Sequence, residues 1–161
     1  MQNRTQTYAQ LTEKFGLLAD EPMKRRTSFR VGGPADLFAE PKSVEVLTAL
    51  IAAARQHHIP VTLIGSGTNL LVSDLGIRGM VITTRRLKTG IRVLSETGSQ
   101  ALVRAGAGER LAAVCRFAAD NGLSGLEFSA GIPGTLGGAV IMNAGTPKGC
   151  MGNIIDQVTL L

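Results

Sequence analysis

Gly65-Ser66-Gly67-Thr68-Asn69-Leu70 follows directly on the apolar run Val61-Thr62-Leu63-Ile64. Glycine tolerates positive φ without a Cβ clash, so Gly65 and Gly67 allow successive backbone N–H groups to turn toward one point. Such a concave row of amides is a nest for an anion. Thr68 and Asn69 add neutral donors suited to phosphate or polyol oxygens. A second candidate segment runs Gly131-Ile132-Pro133-Gly134-Thr135, followed by Gly138, Ala139 and Asn143. Five glycines fall within residues 131–145, and Pro133 fixes one bend. Small side chains let main chain approach a flat, rigid ligand, while Thr135 and Asn143 provide directional polar contacts. Two such segments so far apart suit a ligand too long for one phosphate site, such as a dinucleotide.

The residue patterns exclude several other chemistries. A Rossmann fingerprint needs a third glycine where this chain has Leu70, and Gly106-Ala107-Gly108 fails in the same way at Leu111. No Gly-Lys-Ser/Thr occurs, so a Walker phosphate loop is absent. Cys115 and Cys150 are far apart and no Cys/His cluster has metal-ligand spacing, so no metal is expected. Cys115 reads as a small core residue. His57 and His58 read as solvated or capping residues at a helix end. Glu127 and Arg104 read as members of surface salt bridges. The net charge is +5, but the basic residues sit in short groups, Lys24-Arg25-Arg26 and Arg85-Arg86-Leu87-Lys88, with six aromatics and no Trp. That composition lacks the stacking platform of a nucleic-acid binder. No apolar run approaches the ~20 residues of a membrane span. Glu13, Lys14 and Asp20 interrupt the N-terminal stretch, so no secretory leader is expected and the cytoplasm is the expected compartment.

The elements that must hold these loops follow from periodicity. Residues 1–22 form a polar lead-in with helical character, ending at Pro22. Gly32-Gly33-Pro34 makes a turn, and residues 36–40 a short strand. Ser43 is an N-cap candidate for a helix to about His57. Its Leu47, Leu50, Ile51 and Ala54 repeat at i, i+3, i+4 and i+7, giving one buried face. The run at 61–64 predicts a buried strand into the 65–70 loop, and Met80-Val81-Ile82-Thr83 another. This is a β-α-β unit in a partly parallel sheet. Past Lys88 the pattern changes: residues 91–96 and 100–108 predict a hairpin turning at Thr97-Gly98. Gly108 opens a helix carrying Leu111, Val114, Cys115 and Ala118 on one stripe, stopped by Asn121-Gly122. Residues 156–161 predict a final strand. The organisation expected is α+β, with a lead-in at 1–22, one lobe at 23–88, a second at 89–161, and a ligand between the lobes.

The strings "TSFRVGGPAD", "GSGTNLLVSDLGIRGMVI", "GLEFSAGIPGTLGGAVIMNAG" and "DQVTL" occur in an order that resembles the UDP-N-acetylenolpyruvoylglucosamine reductase family (MurB, UDP-N-acetylmuramate dehydrogenase), over residues 22–161. The resemblance implies a two-lobed FAD-binding domain of the vanillyl-alcohol-oxidase (PCMH) type, truncated at its C-terminus. It implies that Gly65, Ser66, Gly67, Thr68, Asn69 and Leu70 cradle the FAD diphosphate. Gly131, Ile132, Pro133, Gly134, Thr135, Gly138, Ala139 and Asn143 would lie along the flavin and its linker. With no histidine in the first loop, non-covalent FAD is implied. NADPH would be the hydride donor in the complete enzyme, and a UDP-sugar its substrate. The family's catalytic Arg, Ser and Glu are expected beyond Leu161, with the substrate domain absent or carried by a second chain. This chain alone is then expected to be inactive. A non-catalytic FAD carrier and an oxidase of the wider fold are the alternatives. Thr146-Pro147-Lys148-Gly149 departs from the family pattern.

Overall fold

The computed structural model describes residues 4–161. The chain divides into two compact units, Met1–Arg86 and Leu87–Leu161.

The first unit runs α1 (Arg4–Phe15), β1 (Leu18–Pro22), a single helical turn, β2 (Pro34–Ala39), α2 (Val44–Gln56), β3 (Val61–Ile64) and β4 (Ile77–Thr83). Its sheet has the order β1-β2-β4-β3. β1 and β2 are antiparallel, and β4 is parallel to both β2 and β3. The expected β-α-β unit is therefore present, with β4 inserted between its two strands. β4 is central and reads Ile-Arg-Gly-Met-Val-Ile-Thr, with Met80, Val81 and Ile82 fully buried. A strand flanked on both sides needs such a continuous apolar run.

Two expectations in this unit are corrected. The lead-in contains β1, which pairs Leu18 with Phe38 and Glu21 with Ala35 and belongs to the sheet. Its sequence, Leu-Ala-Asp-Glu-Pro, has no apolar alternation because it is an edge strand, exposed over its first three residues. β3 is also an edge strand, with Val61 and Leu63 exposed, where the apolar run suggested burial. Helix α2 behaves as its spacing predicts. Ser43 caps it by accepting from the Val46 amide, and Leu47, Leu50 and Ala54 are buried. Ile51 is half-buried and Ala53 completes the face. Hydrogen bonding to Ser43 also holds the Glu45 carboxyl below its ordinary range.

The sheet is closed over its loops by a charged tie. Arg26 Nε donates to Glu21 Oε1 at 2.8 Å, its guanidinium also reaches Glu40 at 3.5 Å, and its plane lies 4.5 Å from the Phe38 ring centre. Asp36 gathers Arg78 at 2.7 Å, Arg4 at 3.1 Å and the Gly79 amide at 2.8 Å. Phe38, Met23, Ala35, Val72 and Val81 form the core beneath.

The second unit begins with a two-stranded ribbon, β5 (Ile91–Thr97) and β6 (Gln100–Ala105), turning at Gly98 (φ 61°) as expected. Next come α3 (Leu111–Asp120), a helical turn at Glu127–Ser129, the short α4 (Leu136–Ile141), and the two-residue strands β7 (Gly145–Thr146) and β8 (Gly149–Cys150). Leu111, Val114 and Ala118 of α3 are buried, and Cys115 is half-buried. Arg110 occupies the N-cap position instead of Gly108, and Asn121 ends the helix before Gly122 (φ 68°). Leu111, Phe128, Ala139 and Met151 make the core. Residues 156–161 join no ladder and form no strand, correcting the expected strand. Alternation makes a segment fit to be a strand, but only a neighbouring edge makes it one.

Gly76 (φ 77°) and Gly98 (φ 61°) separate two costs of a side chain. A Cβ at Gly76 would strike the Pro34 backbone, whereas at Gly98 it meets open space. Gly98→Ala should destabilise by about 1–2 kcal/mol, the left-handed backbone cost alone. Gly76→Ala should exceed that by ~1–3 kcal/mol through steric displacement. Urea unfolding midpoints check both; equal losses would show that the Pro34 contact yields freely.

Candidate functional site

The 65–70 loop leaves the sheet at the end of β3. Gly65 is not in the positive-φ region, correcting the expectation for that residue; Gly67 is, at φ 67°. The carbonyls of both glycines turn into the protein. Gly65 O accepts from Thr83 Oγ1 at 2.7 Å, and Gly67 O accepts from the Ser28 amide at 3.0 Å. A trans peptide opposes each C=O to the next residue's N–H, so the inward Gly65 carbonyl turns the Ser66 amide outward. Among the described residues, the amides of Ser66, Asn69 and Leu70 donate to no protein acceptor. Unpaired donors grouped on a fixed loop are what an anion nest requires. Asn69 is exposed and its side chain is also unengaged, while Leu70 anchors the loop against the core around Phe38.

Gly67 also shows what fixes the loop. A Cβ there would collide with the Arg26 carbonyl oxygen. Arg26 is the residue tied to Glu21, Glu40 and Phe38, so Gly67 packs against an immobile wall. The same wall continues through residues 27–33. Arg30 adopts φ 57°, unusual for a residue with a Cβ, and Gly32 leaves room for Val72. Gly33 donates to the Ser73 carbonyl at 2.9 Å. Candidate residues chosen by sequence omitted this wall. Its signal was the Gly32-Gly33-Pro34 turn, which read as a connection.

The second segment is built differently. Gly131 is exposed at φ 88°, with open space where a Cβ would go. Ile132 packs on the second unit's core and Gly134 adopts φ 133°. Pro133 is exposed between them. Thr135 is buried and caps α4, its Oγ1 accepting from the Gly138 amide at 3.3 Å. Leu136 N donates to Glu109 O at 2.8 Å, and Gly137 N donates to Ala107 O at 2.9 Å. The first-turn amides of α4 are thus internally satisfied. Ahead of them, the Gly131 and Gly134 amides donate to no protein acceptor among the described residues. Ala139 is buried, and Gly138 is half-buried beside Thr135 Oγ1. Asn143 sits in the left-handed region (φ 45°), with Oδ1 accepting from the Gly152 amide at 2.8 Å. Its first duty is structural. Small side chains and a vacant face at Gly131 suit contact with a planar surface.

Other singled-out residues are also placed. Ser129 is fully buried, its hydroxyl donating to Leu126 O at 2.7 Å and lying 2.9 Å from Cys115 Sγ. Among the described residues Glu127 and Arg104 have no salt-bridge partner, correcting that reading: Glu127 Oε2 accepts from the Gly125 amide, and Arg104 faces Arg92 across the ribbon. His57 caps α2 through its backbone, and His58 is exposed at φ 53°. A groove of about 650 Å³ beside α3, floored by Ala112, Ala118 and Leu126, touches only Gly131 of the candidate residues. No described helix is long and apolar enough to cross a membrane.

Known proteins match this chain over most of its length. The FAD binding domain family matches residues 35–161. The UDP-N-acetylenolpyruvoylglucosamine reductase of Desulfosudis oleivorans is 49% identical over 142 residues, covering 88% of this chain and 45% of that protein. The protein of the same name from Pelobacter propionicus is 54% identical over 145 residues, covering 90% and 48%. The crystal structure of UDP-N-acetylenolpyruvylglucosamine reductase (MurB) from Thermus caldophilus is similar with a TM-score of 0.59 and 35% identity, over 84% of this chain and 44% of that one. The chain spans a little under half the length of these relatives. With the family matched from Ala35 to Leu161 and a loop of free amides within that span, this chain belongs to the FAD binding domain family.

Proposed function

We propose that the chain is the FAD-binding portion of an NADPH-dependent reductase that converts UDP-N-acetylglucosamine enolpyruvate to UDP-N-acetylmuramate, for peptidoglycan synthesis in the cytoplasm. The observation carrying this reading is the 65–70 loop, whose carbonyls are tied inward and whose Ser66, Asn69 and Leu70 amides are free, in a sequence 42–54% identical to reductases of that name. Gly65, Ser66, Gly67, Thr68, Asn69 and Leu70 hold the FAD diphosphate. Gly131, Ile132, Pro133, Gly134, Thr135, Gly138, Ala139 and Asn143 line the flavin and its linker. Bound FAD supplies hydride acceptance and delivery.

The chain's own contribution is to bind and orient. Preset amides stabilise phosphate charge without reorganising. Reduction of an enolpyruvyl double bond also needs a positioned proton donor. Ser129 is unsuited, being fully buried with its hydroxyl engaged, and Ser124 is an exposed loop residue. The proton donor and the UDP-sugar contacts therefore belong to the part of the relatives that this chain does not span.

The purified chain mixed with FAD should show oxidised-flavin absorption. Its melting temperature should rise with FAD concentration, equivalent to about 2.7 kcal/mol at a hundredfold excess over Kd. A melting point indifferent to FAD would sink the assignment. Asn69→Ala should leave the unliganded chain as stable as before and weaken FAD binding by about 0.5–1.5 kcal/mol, one hydrogen bond's worth. Titration of flavin fluorescence measures this. The FAD-loaded chain should not oxidise NADPH faster when UDP-N-acetylglucosamine enolpyruvate is added; substrate-dependent turnover would place a proton donor within residues 4–161.

A further inference from the structure

In the β5–β6 ribbon, Arg92 lies directly opposite Arg104. Both side chains are on its exposed positions. Directly opposed residues have Cβ atoms about 4.5–5.5 Å apart, and like charges placed so are destabilising. Guanidinium cannot shed its proton to escape this repulsion. Nor do neighbours neutralise it. Among the described residues the ion pairs use Arg4, Arg26 and Arg78, all in the first unit, and neither Arg92 nor Arg104 has a carboxylate partner. The nearby acid, Glu109, is buried with Oε1 accepting from the Gly90 amide at 3.1 Å.

The two arginines are also not splayed onto a flat surface. With Thr89 and Gly90 they line a small cavity of about 110 Å³, polar over most of its wall. At ~30 Å³ for each water, that is room for three or four waters. One tetrahedral oxyanion with its four oxygens fits the same space. Guanidinium groups present planar pairs of N–H donors matched to phosphate oxygens, and two forks can share one phosphate. The Thr89 hydroxyl adds a neutral donor.

We propose that Arg92 and Arg104 form a phosphate-binding site, in which a single phosphate group bridges the two guanidiniums and relieves their repulsion. The site lies in the second unit, uses none of the residues assigned to FAD, and does not depend on the reductase reading. Inorganic phosphate and a phosphate ester of a small metabolite offer the same chemistry. They differ in pH response, because an ester's second ionisation near ~6 makes it a dianion at lower pH than inorganic phosphate.

The test is an NMR titration of the full chain labelled with ¹⁵N, with and without bound FAD, at constant ionic strength. Inorganic phosphate and glycerol 3-phosphate serve as separate ligands, with sodium chloride as the reference. The guanidinium Nε–H signals of Arg92 and Arg104 should move together along one saturating curve for at least one of the two ligands. The tighter ligand identifies the source. Arg92→Gln and Arg104→Gln should each weaken that curve at least tenfold, and Arg104→Lys should retain part of it. Without phosphate, Arg104→Gln should melt no lower than the parent chain, because it removes a repulsion. At a phosphate concentration that saturates the parent chain, its melting point should rise more than that of either Gln variant. Signals that stay still, shifts that chloride reproduces, or Gln variants that titrate unchanged would each overturn the proposal. Because the FAD-free arm reads the same signals, a failure to bind flavin leaves this result separate.

Discussion

Gly67 against the carbonyl of Arg26 is the contact on which the loop geometry depends. Only a residue without Cβ can sit there, and only in the left-handed region does its carbonyl reach the Ser28 amide. The wall it meets is fixed because Arg26 is bound by two carboxylates and stacked on buried Phe38. Polar pairing of this kind, half withdrawn from water, resists rearrangement more than surface pairs do. The bond from Thr83 Oγ1 to the Gly65 carbonyl orients the peptide plane that carries the Ser66 amide, and the outward turn of that donor is a consequence.

The second glycine-rich segment uses small residues for another end. Its glycines let α4 start hard against the chain leaving the ribbon: a Cβ on Gly137 would press on Ala107. Thr135, Glu109 and Ala107 satisfy the amides that a bare helix start would leave open. The two segments look alike in composition, yet in the second the small residues serve the close packing of α4.

Much of this was legible in the sequence because it depends on local rules. The stripes Leu47/Leu50/Ala54 and Leu111/Val114/Ala118 gave α2 and α3, Ser43 gave a cap, and Thr97-Gly98 a hairpin turn. The misreadings were tertiary. β1 has no apolar alternation and becomes a strand because β2 offers an edge. The run at 61–64 looks buried, but its place at the end of the sheet order leaves Val61 and Leu63 in solvent. Residues 156–161 read as a strand from Val158-Thr159-Leu160-Leu161 but join no ladder. Arg104 looked like half of an ion pair, and its register partner is another arginine. In the loop, glycine spacing located the donors, but which glycine needs φ > 0 was set by Arg26, forty-one residues earlier in the chain.

β3 has a neighbour on one side only, and it is four residues long. β3 itself is held by a single row of hydrogen bonds to β4, and the loop it delivers is fastened beyond that row by Thr83 Oγ1 on Gly65 O and the Ser28 amide on Gly67 O. Short edge segments open at lower free energy than the strands behind them. Peeling of β3 would swing the donor row out of alignment while the rest of the sheet stays closed, so occupancy of the loop and hydrogen-exchange protection of the 61–64 amides are mechanically linked.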